Sequence, residues 1–133
     1  MTDVKIEQKK KILFIEDDAI LLKAVAGALQ KENFAVLVAA DGETGIKSIE
    51  ESNPDLVILD IILPRKNGYE IMEYIKQKPE LADTPVVVLT NLEGTQDVER
   101  MLALGARAFL VKANYTIDEI VEAIKRIFET IQK

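Results

Sequence analysis

Four kinds of group that can hold a metal ion or a phosphoryl group stand directly after short apolar runs in this chain. Residues 12–15 are followed by Glu16-Asp17-Asp18, residues 56–59 by Asp60, residues 86–89 by Thr90 and residues 108–111 by Lys112. Carboxylates gathered in one crevice repel one another and call for a cation. The chain has no histidine and no cysteine, which leaves oxygen ligands and selects a hard ion such as Mg²⁺. A lysine and a threonine hydroxyl opposite the carboxylates can hold phosphate oxygens. A carboxylate can itself attack phosphorus, so the set suits phosphoryl transfer onto an aspartate. One acidic residue after a strand is more often a helix N-cap than a ligand, and Asp18 is expected to be such a cap. The weight lies on the set, because four runs each end in a chemically coherent group.

The elements that must position these groups follow from the hydrophobic pattern. The four runs above and a fifth, residues 35–38, are continuous rather than alternating, as in strands buried on both faces of a parallel sheet. Amphipathic segments separate them. Leu21, Leu22, Val25 and Leu29 mark a first helix after Asp18; others are predicted over about 43–52, 68–77 and 95–103, the last ending at Gly105. Ile117, Ile120, Val121, Ile124, Ile127, Phe128 and Ile131 form the clearest stripe, opened by Thr116 and Glu119 as a capping box. Strand and helix thus alternate five times. The predicted fold is an α/β, flavodoxin-like (βα)5 three-layer sandwich with parallel strands in the order 2-1-3-4-5. Ligands bind such sheets at the carboxyl edge where the order reverses, between strands 1 and 3, which sets Asp17 opposite Asp60.

The 133 residues are about the size of one domain, and 48% apolar content is enough for one core. Residues 1–10 read as a tail and 11–133 as the domain. No apolar run approaches a membrane span, and the start has no signal-peptide core, so the cytosol is the default compartment. The missing histidine excludes a histidine nucleophile or a phosphohistidine carrier in this chain. Seventeen basic against 23 acidic residues leave a charge of −6, which repels phosphate backbones and argues against nucleic-acid binding. Lys5, Lys9, Lys10 and Lys11 cluster near the start, but Asp3 and Glu7 dilute them.

The segments ILFIEDD, DLVILDIILPRKNGYE, PVVVLTN and AFLVK resemble the receiver domains of bacterial response regulators over residues 10–132. The intervals from Asp17 to Asp60, to Thr90 and to Lys112 fit that family. The resemblance implies Asp60 as the phosphoryl acceptor and Asp17 as a direct Mg²⁺ ligand. It implies that Glu16 acts on the metal through bound water, and that Ile62 offers its backbone carbonyl. Thr90 would be the switch hydroxyl, and Lys112 would pair with Asp60 and then with the phosphate. Pro64 and Gly68 match the turn after the third strand, where Gly68 supplies positive φ or a close approach. Asn91, Phe109 and Ala113 depart from the residues the family usually places there. Because a cis bond costs about 2.5–4 kcal/mol before a residue other than proline, the Lys112–Ala113 bond is expected to be trans.

The implied function is a two-component signalling switch. It would take a phosphoryl group from a sensor histidine kinase or histidine phosphotransfer protein. On the expectation of no output domain, its readout would be protein binding through the fourth helix, fifth strand and fifth helix. It would be a phosphoryl-accepting substrate with slow autodephosphorylation rather than a conventional enzyme, with apolar Ile62 and Leu92 beside the path of water. The rival from the same fold is a receiver-like interaction module that works without phosphorylation. A flavodoxin-like cofactor site conflicts with Glu16-Asp17-Asp18, which would repel a cofactor phosphate. An aspartate-nucleophile phosphatase would carry a second aspartate where Ile62 stands. Given the charge, gel-shift titration at moderate salt is expected to show no sequence-independent DNA binding. A shift that persists after removal of residues 1–10 would contradict this reading.

Overall fold

The computed structural model describes residues 8–131, in which strands and helices alternate. In chain order they are β1 (Lys11–Ile15), α1 (Ala19–Lys31), β2 (Ala35–Ala39), α2 (Gly42–Ser52), β3 (Leu56–Leu59) and α3 (Gly68–Gln77). β4 (Val86–Thr90), α4 (Thr95–Ala103), β5 (Ala108–Val111) and α5 (Ile117–Ile131) complete the chain. All strand pairs are parallel, and the order is β2-β1-β3-β4-β5, as predicted. Of the predicted tail, residues 1–7 lie outside the described residues and 8–10 are exposed without regular structure. Lys11 belongs to β1: its N–H donates to Asp55 and its ammonium to the Ser52 carbonyl. No helix among the described residues is long and apolar enough to cross a membrane.

Strand alternation divides the core between the two faces of the sheet. Leu13, Ile15, Val57, Leu59, Val86 and Val88 face α2, α3 and α4 and pack with Ile49, Ile71, Met72, Ile75 and Met101. Ile12, Phe14, Leu56, Ile58, Val87 and Leu89 face α1 and α5 and pack with Val25, Leu29, Ile120, Val121, Ile124 and Phe128. The three inner strands are buried throughout apart from Lys11, which explains their continuous apolar runs. The expectation of burial on both faces fails for β2. It is an edge strand, and Leu37 and Val38 are 39% and 49% exposed. Burying a side chain of this size stabilises the fold by roughly 1.5–3 kcal/mol, so the α5 stripe is a major tie between helix and sheet. Phe34 stacks on Phe128, with ring centroids 5.2 Å apart, and secures the start of β2 to the same helix.

Local signals place the helix ends. Asp18 caps α1, its side chain accepting from the N–H groups of Ile20 and Leu21. Asn67 and Glu70 make a capping box on α3, and Thr116 and Glu119 make the predicted one on α5. α2 ends at Asn53, whose left-handed φ of 49° turns the chain into Pro54. Gly105, at φ 102°, ends α4: its N–H donates to Leu102 and that of Ala106 to Met101, the paired bonds of a Schellman turn. Among the described residues there is no cis peptide bond, so Lys112–Ala113 is trans as expected.

Gly68 serves a close approach, not positive φ. A Cβ there would lie 2.6 Å from the Asp60 carbonyl oxygen and 2.7 Å from Ile61 Cα. The left-handed residue of this turn is Arg65, at φ 62°. Gly27, inside α1, would present a Cβ to open space. Gly68→Ala is therefore expected to destabilise the domain by about 1–3 kcal/mol through backbone overpacking. Gly27→Ala is expected to stabilise it by about 0.5–1 kcal/mol through helix propensity. Urea midpoints of the two variants check the contrast.

Candidate functional site

Each predicted site residue leaves its strand at the same edge of the sheet. β1 and β3 are direct neighbours, so the residues that follow Ile15 and Leu59 stand side by side. Backbone bonds continue past the strands: the Glu16 N–H donates to Ala39 at 2.9 Å and the Asp60 N–H to Ile15 at 3.1 Å. Both carboxylates thus rest on backbone held by the sheet. Glu16 is fully buried, Asp60 nearly so, and Asp17 is exposed. One oxygen from each of these three residues lies within 4.8 Å of the others.

Lys112 reaches this group from β5, across the width of β4. Its Nζ donates to Asp60 Oδ2 at 2.7 Å and lies 2.6 Å from Glu16 Oε1. The second contact is a buried, charge-assisted ion pair, so one ammonium serves an oxygen of each carboxylate. Oε2 of Glu16 accepts the Asp18 N–H at 3.0 Å. The family resemblance implied a lysine paired with Asp60; in the structure Lys112 makes that contact and a second one to Glu16. Burial pushes the Glu16 carboxyl above its ordinary pKa, against the opposing pull of Lys112 and the Asp18 N–H. Burial also works against the Lys112 charge, but the Asp60 and Glu16 carboxylates outweigh it and raise its pKa.

The donor set fits a hard divalent cation. Three carboxylates face one ammonium among the described residues, so negative charge remains uncompensated. Thr90 is wholly buried at the end of β4, its Oγ1 accepting the Leu92 N–H at 3.4 Å. Ile62 is 61% exposed, and its N–H reaches Asp60 Oδ1 at 3.4 Å. Asp18 stands apart from the acidic group and serves α1 as its cap.

Sequence reasoning missed what shapes the turn between β3 and α3. The Gly42 N–H donates to the Pro64 carbonyl at 3.1 Å, and a Cβ on Gly42 would collide with the Lys66 carbonyl. The start of α2 therefore braces the loop that follows Asp60. The only local signal is a glycine beside Asp41, which reads as an ordinary helix start.

The response regulator receiver domain model matches residues 12–125. The chain belongs to that family. The transcriptional regulatory protein PdtaR of Mycobacterium tuberculosis is 33% identical over 125 residues, which is 93% of this chain and 59% of that protein. The chain spans 59% of the length of that relative and 16% of the gliding motility regulatory protein of Myxococcus xanthus, to which it is 30% identical. Among solved structures, the chemotaxis response regulator CheY4 of Vibrio cholerae shares the fold, with a TM-score of 0.83 at 24% identity. That match covers 90% of this chain and 98% of CheY4. The Mn²⁺-bound form of the response regulator Rcp1 is 30% identical, with a TM-score of 0.79, and covers 90% of this chain and 94% of its own. Receiver domains bind Mg²⁺ or Mn²⁺ at an acidic pocket, and the acidic group of this receiver domain is Glu16, Asp17 and Asp60.

Replacing Lys112 by Met removes the one ammonium that meets the two buried carboxylates among the described residues. Without added metal, the loss is expected to be about 3–5 kcal/mol, the range for a buried pair stripped of one partner. The sign of its pH dependence follows from Glu16, whose pKa is raised above the usual 4.5 in the fold. Between the unfolded value and the raised folded one, the native state holds a proton that the unfolded chain has released, and losing Lys112, which lowers the Glu16 pKa, widens that window in the variant. The deficit is therefore expected to be full at pH 8 and to shrink as pH falls toward 4.5, as urea midpoints across that range would show.

Proposed function

We propose that this receiver domain accepts a phosphoryl group on Asp60 from the phosphohistidine of a sensor kinase or histidine phosphotransfer protein, with Mg²⁺ bound. The observation that carries this reading is the Lys112 ammonium on Asp60 Oδ2, opposite Glu16 and Asp17 at the carboxyl edge of the sheet. Such an arrangement holds a nucleophilic carboxylate in place while leaving excess negative charge for a metal. Asp17 would hold the ion directly, Glu16 through water, and Asp60 and the Ile62 carbonyl would complete the protein ligands. Bound Mg²⁺ supplies neutralisation of the phosphoryl oxygens.

The chain's own residues then have distinct tasks. Lys112 engages Oδ2 of Asp60, which leaves Oδ1 with only the long contact to the Ile62 N–H. An Asp60 oxygen forms the new bond to phosphorus as the bond between phosphorus and the donor imidazole breaks, and the imidazole leaves neutral after taking up a proton. Lys112 transfers its contact to the phosphoryl oxygens. The Thr90 hydroxyl turns to meet them, since its present partner is a long bond that costs little to give up. The readout is binding of another protein to α4, β5 and α5, a face on which Leu102 and Tyr115 are exposed. Exchange with a kinase of this class places the domain in the cytoplasm.

With Mg²⁺ and a small phosphodonor such as acetyl phosphate, one phosphoryl group is expected per chain, and none on Asp60→Asn. Intact-mass measurement reads this, and equal labelling of the Asn variant would overturn the acceptor assignment. In metal titrations, Asp17→Ala is expected to weaken Mg²⁺ more than Glu16→Ala, and Asp18→Ala least. A reversed order would move the ligand set by one residue.

A further inference from the structure

α4 is the least anchored helix of this receiver domain. Met101 is its only buried residue, and its N-cap, Gly94, makes no side-chain cap bond. Asp97 lies in the first turn, where acidic side chains usually serve the free N–H groups of their own helix. Here it accepts a hydrogen bond from the Tyr69 hydroxyl on α3 instead. One turn along, the Arg100 guanidinium lies 3.8 Å from the centre of the Tyr69 ring, and one of its nitrogens is 3.6 Å from Glu73. Tyr69 and Glu73 share one face of α3, and Asp97 and Arg100 share the facing side of α4.

These contacts join α4 to a rigid neighbour. Ile71, Met72 and Ile75 of α3 are fully buried, and Gly68 seats the start of α3 directly on Asp60 and Ile61. α4, in contrast, follows Thr90 through residues 91–94 alone. Any rearrangement at Thr90 therefore reaches α4 by a short loop, while α3 holds α4 from the side.

We propose that Tyr69, Asp97 and Arg100 form a clasp that fastens α4 to α3 in the unmodified domain and sets how readily α4 follows a change at Asp60. The second half rests on the reading of Asp60 as the acceptor. Burial, with the Asp97 carboxylate beside it, lifts the Tyr69 phenol to about 12, so the hydroxyl remains a donor at any ordinary pH. The ring is held from its face by Arg100 and from its hydroxyl by Asp97, so the two α4 residues act through one α3 side chain. The clasp adds no bond to the acceptor site; its effect is on the equilibrium between two positions of α4.

Hydrogen exchange of the backbone amides tests the first half without any phosphoryl group. In Tyr69→Phe and in Asp97→Ala, amides of α4 are expected to exchange about threefold to tenfold faster, with those of β1 and β3 unchanged. The double variant should exchange no faster than either single variant, because both remove the same bond. Unchanged α4 exchange, additive effects, or equal acceleration across the sheet would each overturn the clasp. Titration with beryllofluoride and Mg²⁺, a phosphoryl mimic, tests the second half. Tyr69→Phe is expected to bind it several-fold more tightly than the unmutated chain, and equal affinity would overturn the link to Asp60. Failure of the unmutated chain to bind beryllofluoride would overturn the acceptor reading alone, and faster α4 exchange would still support the clasp.

Discussion

One ammonium serves two buried carboxylates and a third close by, and the rest of the site depends on that imbalance. Lys112 lies within 2.7 Å of both Glu16 and Asp60, yet no second cationic side chain joins the acidic group among the described residues. A fully buried Glu16 would be costly in an apolar strand end without that contact. With it, the carboxylates stay together and retain a net negative charge that suits a divalent ion. The same lysine fixes the direction of the Asp60 carboxylate, so one interaction both stabilises the buried acidic group and orients it.

That interaction is possible only because the sheet delivers its partners with little freedom. β1 and β3 are buried on both faces, and the backbone bonds of Glu16 and Asp60 extend their ladders by one residue. Two glycines then tighten the loop that follows Asp60. Gly68 brings α3 against the Asp60 carbonyl, and Gly42 lets the start of α2 support Pro64 and Lys66. α4 is held differently, by one buried methionine and a set of polar contacts to α3.

Much of this architecture is legible in the amino-acid order. Continuous apolar runs mark strands covered on both faces, and caps such as Thr116 with Glu119 or Gly105 mark helix ends, because those signals act over a few residues. The strand order follows from alternation and handedness, and with it the meeting of Asp17 and Asp60 across the reversal point. Asp18 could be separated from its neighbours as a cap because capping is a local bond. The exposure of Leu37 and Val38 could not be read, since an edge strand and a central one carry the same apolar run and only the finished sheet decides which is which.

By itself, then, the sequence determined the fold class, the residues that gather at one edge and the kind of ion they suit. Only the tertiary structure decided how charge is shared among them. Whether Lys112 lies on Asp60 alone or on Glu16 as well depends on side-chain reach across β4, a distance no local pattern encodes. The same holds for Gly42 under the Lys66 carbonyl and for Tyr69 against Asp97. Each joins elements far apart in the chain, where contact is set by how two packed surfaces meet rather than by the propensity of either residue.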